Sequence, residues 1–298
     1  MRVLTFIDKE TQHSVLLVDG MAVLFRAYYA TAYGGSVKRT RTGVPVNAIH
    51  GFLRYLGDAV QRFKPSHVAC CWDLGSTTFR TADYPAYKGN RPEAPDDLIP
   101  QFELIKEVTE SFGIPNVGVP GYEADDCIGT LARRFKSEAA VTVMTGDHDM
   151  LQLVDERVTV AIMKKGHGNY ALYTPEYLME ERQMTPAQIV DLKGLMGDAS
   201  DNYPGVKGIG EKTAMKLIRE YASIDGILDN LSLLPATLRG KIEADLEMLR
   251  LSRQLATIHC EAPVAMELAD CLWKVDLGRA AAKCEELEFR DRLRWIAG

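Results

Sequence analysis

The run Gly121-Tyr-Glu-Ala-Asp-Asp-Cys-Ile-Gly-Thr-Leu-Ala-Arg-Arg-Phe135 opens just after a chain break at Pro120 and continues with helical spacing. Glu123, Asp125 and Asp126 place three carboxylates in the first turn, while Ile128, Leu131, Ala132 and Phe135 supply an apolar face. The helix macrodipole favours acids at an N-terminus, so capping accounts for one or two of them. A third is harder to explain, because Glu123 and Asp126 share a face. Two unit charges about 4 Å apart cost roughly 4 kcal/mol at an effective dielectric near 20. From this stretch alone, capping and a cation site both remain open.

The chain on either side decides the fold. Ser14-Val-Leu-Leu-Val-Asp-Gly20 is a short apolar run ending in Asp19. His67-Val-Ala-Cys-Cys-Trp-Asp73 is a second, ending in Asp73, and Val141-Thr-Val-Met-Thr-Gly-Asp147 is a third that continues to Asp149. Arg157-Val-Thr-Val-Ala-Ile-Met163 reads as a further strand. Helical patterns lie between them, after Gly20 and from about Val46 to Phe63. Apolar strands alternating with helices indicate an α/β fold with a central, mostly parallel sheet flanked by helices. Ligand sites in such sheets lie at the carboxyl ends of the strands. One aspartate there is an ordinary turn residue or helix cap. Three of them, with the Glu123 cluster, are better explained by convergence on one acidic pocket.

Between Asp73 and Glu123 the character changes. Tyr84-Pro-Ala-Tyr-Lys-Gly-Asn-Arg-Pro-Glu-Ala-Pro95 is rich in proline and carries Lys88 and Arg91, with Arg80 upstream and Pro100 beyond. Prolines and Gly89 argue against a long helix. The segment is either a solvated surface loop or a mobile, basic lid over the acidic pocket. Further on, Thr185 to Gly197 reads as a helix, followed by Asp198, Asp201 and a turn containing Gly205, Gly208 and Gly210 before a helix from about Glu211 to Glu220. The G-x-x-G-x-G spacing reverses the dinucleotide fingerprint, and no strand precedes it. A helix-hairpin-helix fits better, with Lys207, Lys212 and Lys216 beside it; a structural turn with a solvated lysine face is the plainer alternative. Beyond Ser223 the chain reads as helical packing without a motif.

Composition narrows the classes. The chain has 298 residues, 46% hydrophobic and 26% charged, as expected for an ordinary globular protein of one or two domains. Asp8, Lys9 and Glu10 interrupt the early apolar run Val3 to Ile7, so no secretory pattern is evident, and no stretch approaches a membrane span. The six cysteines form no C-x-x-C pair and no zinc-spaced cluster. Nine candidate carboxylates, Asp19, Asp73, Glu123, Asp125, Asp126, Asp147, Asp149, Asp198 and Asp201, exceed the whole net charge of -6, leaving the remainder mildly basic. Hard oxygen ligands select Mg²⁺ or Mn²⁺ over zinc. A pocket this acidic suits two ions roughly 4 Å apart, which in two-metal sites activate water, neutralise a phosphodiester and stabilise the leaving oxygen.

Taken together, Asp19-Gly20, Tyr87-Lys-Gly-Asn-Arg91, Gly121-Tyr-Glu-Ala-Asp-Asp126, Thr145-Gly-Asp-His-Asp149 and Gly197-Asp-Ala-Ser-Asp-Asn-Tyr-Pro-Gly-Val-Lys-Gly-Ile-Gly-Glu-Lys-Thr213 resemble, in order, the 5′-3′ exonuclease and flap endonuclease family. The likeness is greatest to the N-terminal 5′-nuclease domain of bacterial DNA polymerase I. It spans nearly the whole chain, including Leu251 to Val264 and Glu285 to Trp295, and nothing resembling a polymerase follows Gly298, which suggests a stand-alone member or an excised domain.

The resemblance implies an α/β nuclease core over residues 1–184, with a helical arch at about 80–105. It implies a helical region over 185–298, with a helix-hairpin-helix at about 197–220. It implies hydrolysis of DNA at 5′ flaps, nicks, gaps or RNA-primer ends with two Mg²⁺ ions, for which Mn²⁺ substitutes, in primer removal and repair. By motif position Asp19, Asp73, Glu123, Asp125 and Asp147 would serve the tighter ion, and Asp149, Asp198 and Asp201 the second, with Asp126 in support. Arg26 and Lys88 would contact the scissile phosphate, and Arg91 and Tyr87 would line the arch. Gly205, Val206, Lys207, Gly208, Gly210, Lys212 and Thr213 would bind the duplex, with a K⁺ ion at the hairpin. A monomer in the bacterial cytoplasm, at the nucleoid, is implied. One departure is His148, where many relatives carry lysine or arginine; it removes a fixed charge and would lower activity or make it more pH-dependent, without deleting a metal ligand. A DNA-junction binding protein with little catalysis is the alternative. A phosphatase of the aspartate-nucleophile type is disfavoured, because Asp19-Gly-Met21 lacks the second aspartate of D-x-D.

Overall fold

The computed structural model describes residues 13–32 and 36–289. The run Val3 to Ile7, and the part of Glu285 to Trp295 beyond Phe289, lie outside the described residues. One sheet contains β1 (Ser14–Asp19), β2 (His67–Cys71), β3 (Asn116–Val117), β4 (Ala140–Thr145), β5 (Val158–Met163) and β6 (Tyr170–Tyr173). Its order is β3-β2-β1-β4-β5-β6, parallel except for the antiparallel β5–β6 pair. Between β1 and β4 run α1 (Gly20–Thr31), α2 (Asn47–Phe63), α3 (Phe79–Asp83), α4 (Ile99–Ser111) and α5 (Ala124–Phe135). After β6 follow α6 (Pro175–Arg182), α7 (Pro186–Met196), α8 (Glu211–Tyr221), α9 (Ile224–Asp229), α10 (Ala236–Ala244), α11 (Leu246–Ala256) and α12 (Leu277–Glu286).

The continuous apolar runs have a direct cause. Successive strand side chains point to opposite faces, and both faces are covered. Val15 and Leu17 join the layer that holds Ile128, Leu131 and Phe135 of α5. Leu16 and Val18 join the layer of Leu24 from α1 and Phe52 and Leu56 from α2. Leu192, Leu195, Leu217 and Ile218 of α7 and α8 belong to the same apolar cluster as α5, so the helical region shares a continuous core with the sheet. Gly20 lets α1 start under Trp72, because a Cβ there would sit 2.5 Å from the indole ring.

Register positions the acids. Asp19 pairs with Cys71 and Val18 with Met144, so β1, β2 and β4 end on one edge. Asp73 and Asp147 each follow two residues beyond their strands. Two strands escaped the sequence reading. β3 has only two residues, and β6 has four with its middle pair half-buried, so neither forms an apolar run. The arch expected over 80–105 is helical only at its ends, in α3 and α4; turns and irregular chain connect them, as the prolines require.

Arg80, grouped above with the basic loop, is instead a buried joint, only 2% exposed. Its guanidinium donates to Asp126 Oδ2 and Oδ1, both at 2.8 Å, and to the carbonyls of Leu255 and Thr257 at 3.0 and 2.7 Å. One side chain thus ties α3 to α5 and to the chain leaving α11. Asp126, fully buried, also accepts the amides of Glu123 and His259 at 3.0 and 2.8 Å. With four donors on its two oxygens, Asp126 is a structural anion and not one of the cavity carboxylates with which it was grouped.

Removing one partner of a buried pair strands the other. Arg80→Met should lower unfolding free energy by about 3–5 kcal/mol in urea denaturation. Arg80→Lys should recover less than half of that, because an ammonium cannot reproduce the planar fork. A loss below about 1 kcal/mol for Arg80→Met would place the joint elsewhere.

Candidate active site

A cavity of about 760 Å³ opens at the sheet edge and is lined by Asp19, Asp73, Glu123, Asp125 and Asp147, with Lys88 and Arg91 beside them. Each carboxylate is set by its element. Asp19 caps α1, accepting the Ala22 amide at 3.0 Å on Oδ1 and the Thr145 hydroxyl at 2.6 Å on Oδ2. Asp73 Oδ1 accepts the Ala124 amide at 2.7 Å, which ties the loop after β2 to the first turn of α5. Glu123 is the N-cap of α5 and shares a reciprocal capping box with Asp126. Asp147 Oδ1 accepts the Asp149 amide at 2.8 Å. Thr145 was quoted within its motif but given no role; its hydroxyl accepts the Asp147 amide at 2.9 Å while donating to Asp19, and so joins β1 to β4. A threonine two residues before a strand-end aspartate was the available signal.

The electrostatics follow from crowding. Burial pushes the Asp19 carboxyl up to about 6, against the pull of Thr145 and Ala22, with Asp147 and Asp73 adding repulsion. Asp125 is raised well above the usual range by burial and then by Asp19 and Asp147, with Lys88 opposing. Six carboxylates, counting Glu103, against the ammoniums of Lys88 and Lys106 and the Arg91 guanidinium leave the cavity short of positive charge.

A second group lies next to it. Lys193 of α7, not singled out from the sequence, holds Asp149 Oδ1 at 2.7 Å and also pairs with Asp198 Oδ2. Burial raises Asp149 to about 6, with Asp147 adding to it and Lys193 opposing. Burial acts the same way on Asp198, but hydrogen bonds from Lys193 and Ser200 outweigh it and hold Asp198 below the usual range. Asp201 accepts Tyr87 Oη–H at 3.0 Å and pairs with Arg91 at 2.5 Å. Among the described residues, no three carboxylates stand as a ready-made coordinating group. Protein donors hold them apart, and their all-oxygen chemistry fits hard divalent cations.

The proline-rich segment is pinned, where the sequence suggested an unattached lid. Lys88 takes a left-handed backbone, φ 55°, its amide donating to Asp201 O at 2.8 Å and its ammonium to Glu123 Oε2 at 2.9 Å. Asn90 reaches Ala199 O at 2.8 Å, Asn202 reaches Ala86 O at 2.7 Å, and the Tyr87 ring stacks on Tyr203 at 6.3 Å. Apart from Glu123, these partners lie more than a hundred residues away, which no local pattern reveals. Arg26, expected at the phosphate, instead donates to Lys164 O and lies over the Tyr55 ring; it does not line the cavity. His148 Nδ1 accepts from Arg182 at 2.6 Å. Burial, then Arg182 and Lys164, hold His148 below its ordinary range. Arg182 thus sets a fixed cation against the imidazole.

The glycine turn forms the expected hairpin. Gly205 takes φ 63°, and a Cβ there would meet the Gly197 amide at 2.2 Å, so no larger residue fits. Gly210 caps α8, and Thr213 donates its amide to Gly210 O at 3.0 Å. Two residues assigned to DNA contact face inward. Val206 is buried, its amide donating to Leu195 O at 2.9 Å, and the Gly205 amide donates to Ser252 Oγ at 3.2 Å. Lys207, Lys212, Lys216 and Arg219 are exposed, and none has an acidic partner among the described residues.

The Asp19 shift has a stability consequence. Its native carboxyl, at about 6, binds a proton more tightly than the same carboxyl in the unfolded chain, near 3.8. Its contribution to stability is therefore full below about pH 4 and is lost as pH rises through about 6. With chelator present, Asp19→Asn should be more favourable near pH 7.5 than near pH 4.5, by on the order of 1–3 kcal/mol in urea denaturation. Equal effects at both pH values would show that burial does not shift this carboxyl.

Known proteins were compared with the chain over its whole length. The family profile described as "5'-3' exonuclease, N-terminal resolvase-like domain" matches residues 14–184, and "5'-3' exonuclease, C-terminal SAM fold" matches residues 184–276. A 5'-3' exonuclease of Bacillus subtilis (strain 168) is 54% identical over 269 residues, covering 90% of this chain and 91% of that protein. DNA polymerase I of Lactococcus lactis subsp. cremoris (strain MG1363) is 41% identical over 292 residues, covering 95% of this chain but 33% of that protein, so the chain spans about a third of its length. Among solved structures, the bacteriophage T5 flap endonuclease, in a pseudo-enzyme-product complex with DNA and metal ions, shares the fold at TM-score 0.67 and 21% identity, over 96% of this chain and 100% of that one. With profiles matching both halves and a relative aligned along most of both chains, the protein belongs to the 5′-3′ exonuclease family.

Proposed function

We propose that the protein is a structure-selective 5′ nuclease that hydrolyses DNA at 5′ flaps, nicks, gaps and RNA-primer ends with two divalent ions. The observation that carries this reading is the single cavity, in which five carboxylates from β1, β2, α5 and β4 meet Lys88 and Arg91. Asp19, Asp73, Glu123, Asp125 and Asp147 would hold one ion, and Asp149, Asp198 and Asp201 the other. When bound, Mg²⁺ or Mn²⁺ supplies Lewis acidity and charge neutralisation for phosphodiester hydrolysis. The T5 complex with DNA and metal ions supports both partners.

The chain's own residues then have distinct tasks. Lys88 and Arg91 would bind the scissile phosphate, releasing Glu123 and Asp201 from the ion pairs they now make. Tyr87, wedged between Glu123 and Asp201, would orient both. Lys193 would keep Asp149 and Asp198 together from α7. Arg26 would reach the phosphate only by leaving the Lys164 carbonyl. The exposed Lys207, Lys212, Lys216 and Arg219 form a track that fits a duplex backbone, read without sequence preference. A K⁺ ion would use hairpin carbonyls other than Gly208 O, which Lys241 already serves. The two regions, 1–184 and 185–298, would act as one monomer in the bacterial cytoplasm at the nucleoid.

The test is a 5′-flap duplex incubated with Mg²⁺, with Mn²⁺ and with chelator. Cleavage near the junction should require the metal. Asp147→Asn should reduce cleavage by on the order of a thousandfold, while flap binding in Ca²⁺ stays near wild type. Cleavage by that variant within about tenfold of wild type would remove Asp147 from the ion site. Lys88→Met should slow cleavage by about a hundredfold with binding changed only a few-fold. Metal-independent cutting, or tight flap binding with no cutting by wild type, would overturn the nuclease reading.

A further inference from the structure

α10 reaches the hairpin at two points that the reading above leaves without a role. Asp245, the C-cap of α10, accepts the Lys207 amide on Oδ2 at 2.7 Å. Lys241, one turn earlier, donates its ammonium to Gly208 O at 2.9 Å. Residues four apart share a helix face, so the two side chains act from one rigid support. They hold the peptide that enters Lys207 and the peptide that leaves Gly208, and so bracket this pair of residues.

That restraint matters because Gly208 takes φ 78°, a region that glycine enters and leaves at little cost. The rest of the hairpin is already tied down. Val206 donates to Leu195 O and Ile209 to Val206 O. The amides of Gly208 and Gly210 donate to no backbone or side-chain group among the described residues. Lys207 has its side chain exposed and without an acidic partner, although its own amide is engaged. Asp245 and Lys241 carry opposite charges, so together they add no net charge to the hairpin.

We propose that Lys241 and Asp245 are positioning residues for duplex binding: they clasp Lys207 and Gly208 so that the two unengaged amides and the Lys207 ammonium are presented together to a DNA phosphate. This rests on the nuclease reading and adds a helix outside the hairpin motif to its DNA-binding machinery. Ordering these donors before binding removes a conformational cost that the free hairpin would otherwise bear on every encounter.

The experiment uses the full chain, a blunt duplex in Ca²⁺ for affinity, and a 5′ flap in Mg²⁺ for kinetics. Asp245→Ala should raise the duplex Kd roughly tenfold and the KM of flap cleavage by a similar factor, with kcat unchanged. Asp245→Asn keeps an acceptor oxygen for the Lys207 amide and should bind as wild type does. Lys241→Met should raise Kd several-fold, about half the logarithmic effect of Asp245→Ala. A change in thermal stability without a change in Kd would make the clasp merely structural. Tighter binding by Asp245→Ala would mean that the carboxylate competes with phosphate. Equal losses in the Asn and Ala variants would mean that charge acts, not geometry. Each of these three results overturns the proposal. If Asp245→Ala fails to fold, Asp245→Asn and Lys241→Met still decide it. Failure of wild type to cut the flap in Mg²⁺ sinks the nuclease reading, not the clasp, which the duplex affinities test separately.

Discussion

Carboxylates gathered at one sheet edge repel, and every neighbouring feature of this protein bears the mark of that repulsion. Two unit charges about 4 Å apart cost roughly 4 kcal/mol at a dielectric near 20. The protein limits the cost by giving each acid its own donor: the Ala22 amide and Thr145 hydroxyl for Asp19, the Ala124 amide for Asp73, the Asp149 amide for Asp147. Burial outweighs those donors at Asp19 and outweighs Lys193 at Asp149, so both carboxyls rise to about 6. A divalent cation relieves the same strain more completely, and this is why the cavity suits one.

Cations from distant segments complete the balance. Lys88 closes on Glu123, Arg91 on Asp201, and Lys193 on Asp149 and Asp198. Because the first two sit on a proline-rich segment without regular structure, their ion pairs also fasten that segment over the cavity. The same side chains therefore serve both as struts and as counter-charges. Arg80 and Asp126 differ in kind. They are fully satisfied by each other and by backbone groups, and they fix the frame on which the cavity acids stand.

Much of this was legible in the sequence. Apolar runs ending in Asp19, Asp73 and near Asp147 gave a parallel sheet with an acidic edge, because strands buried on both faces must be apolar throughout and only their ends are free to carry charge. The glycine turn at Gly205 to Gly210 gave a hairpin opening α8. Three acids at the start of α5 were read as a group, yet they face different ways. Glu123 and Asp125 reach the cavity, whereas Asp126 turns to Arg80. Helical spacing gives a face, but not what waits opposite it.

What the sequence determined by itself was the four longer strands with helices between them, the edge at which charge collects, and the location of the hairpin. These follow from short-range rules: alternation along a strand, spacing along a helix, and glycine where φ is positive. Only the tertiary structure decided the partners: that Thr145 bridges Asp19 and Asp147, that Lys193 spans two motifs, that Arg182 donates to His148, and that α10 clasps the hairpin. The physical reason is that a hydrogen bond or ion pair is specified by distance in space. Residues tens to more than a hundred positions apart leave no periodic trace of the contact that folding brings about.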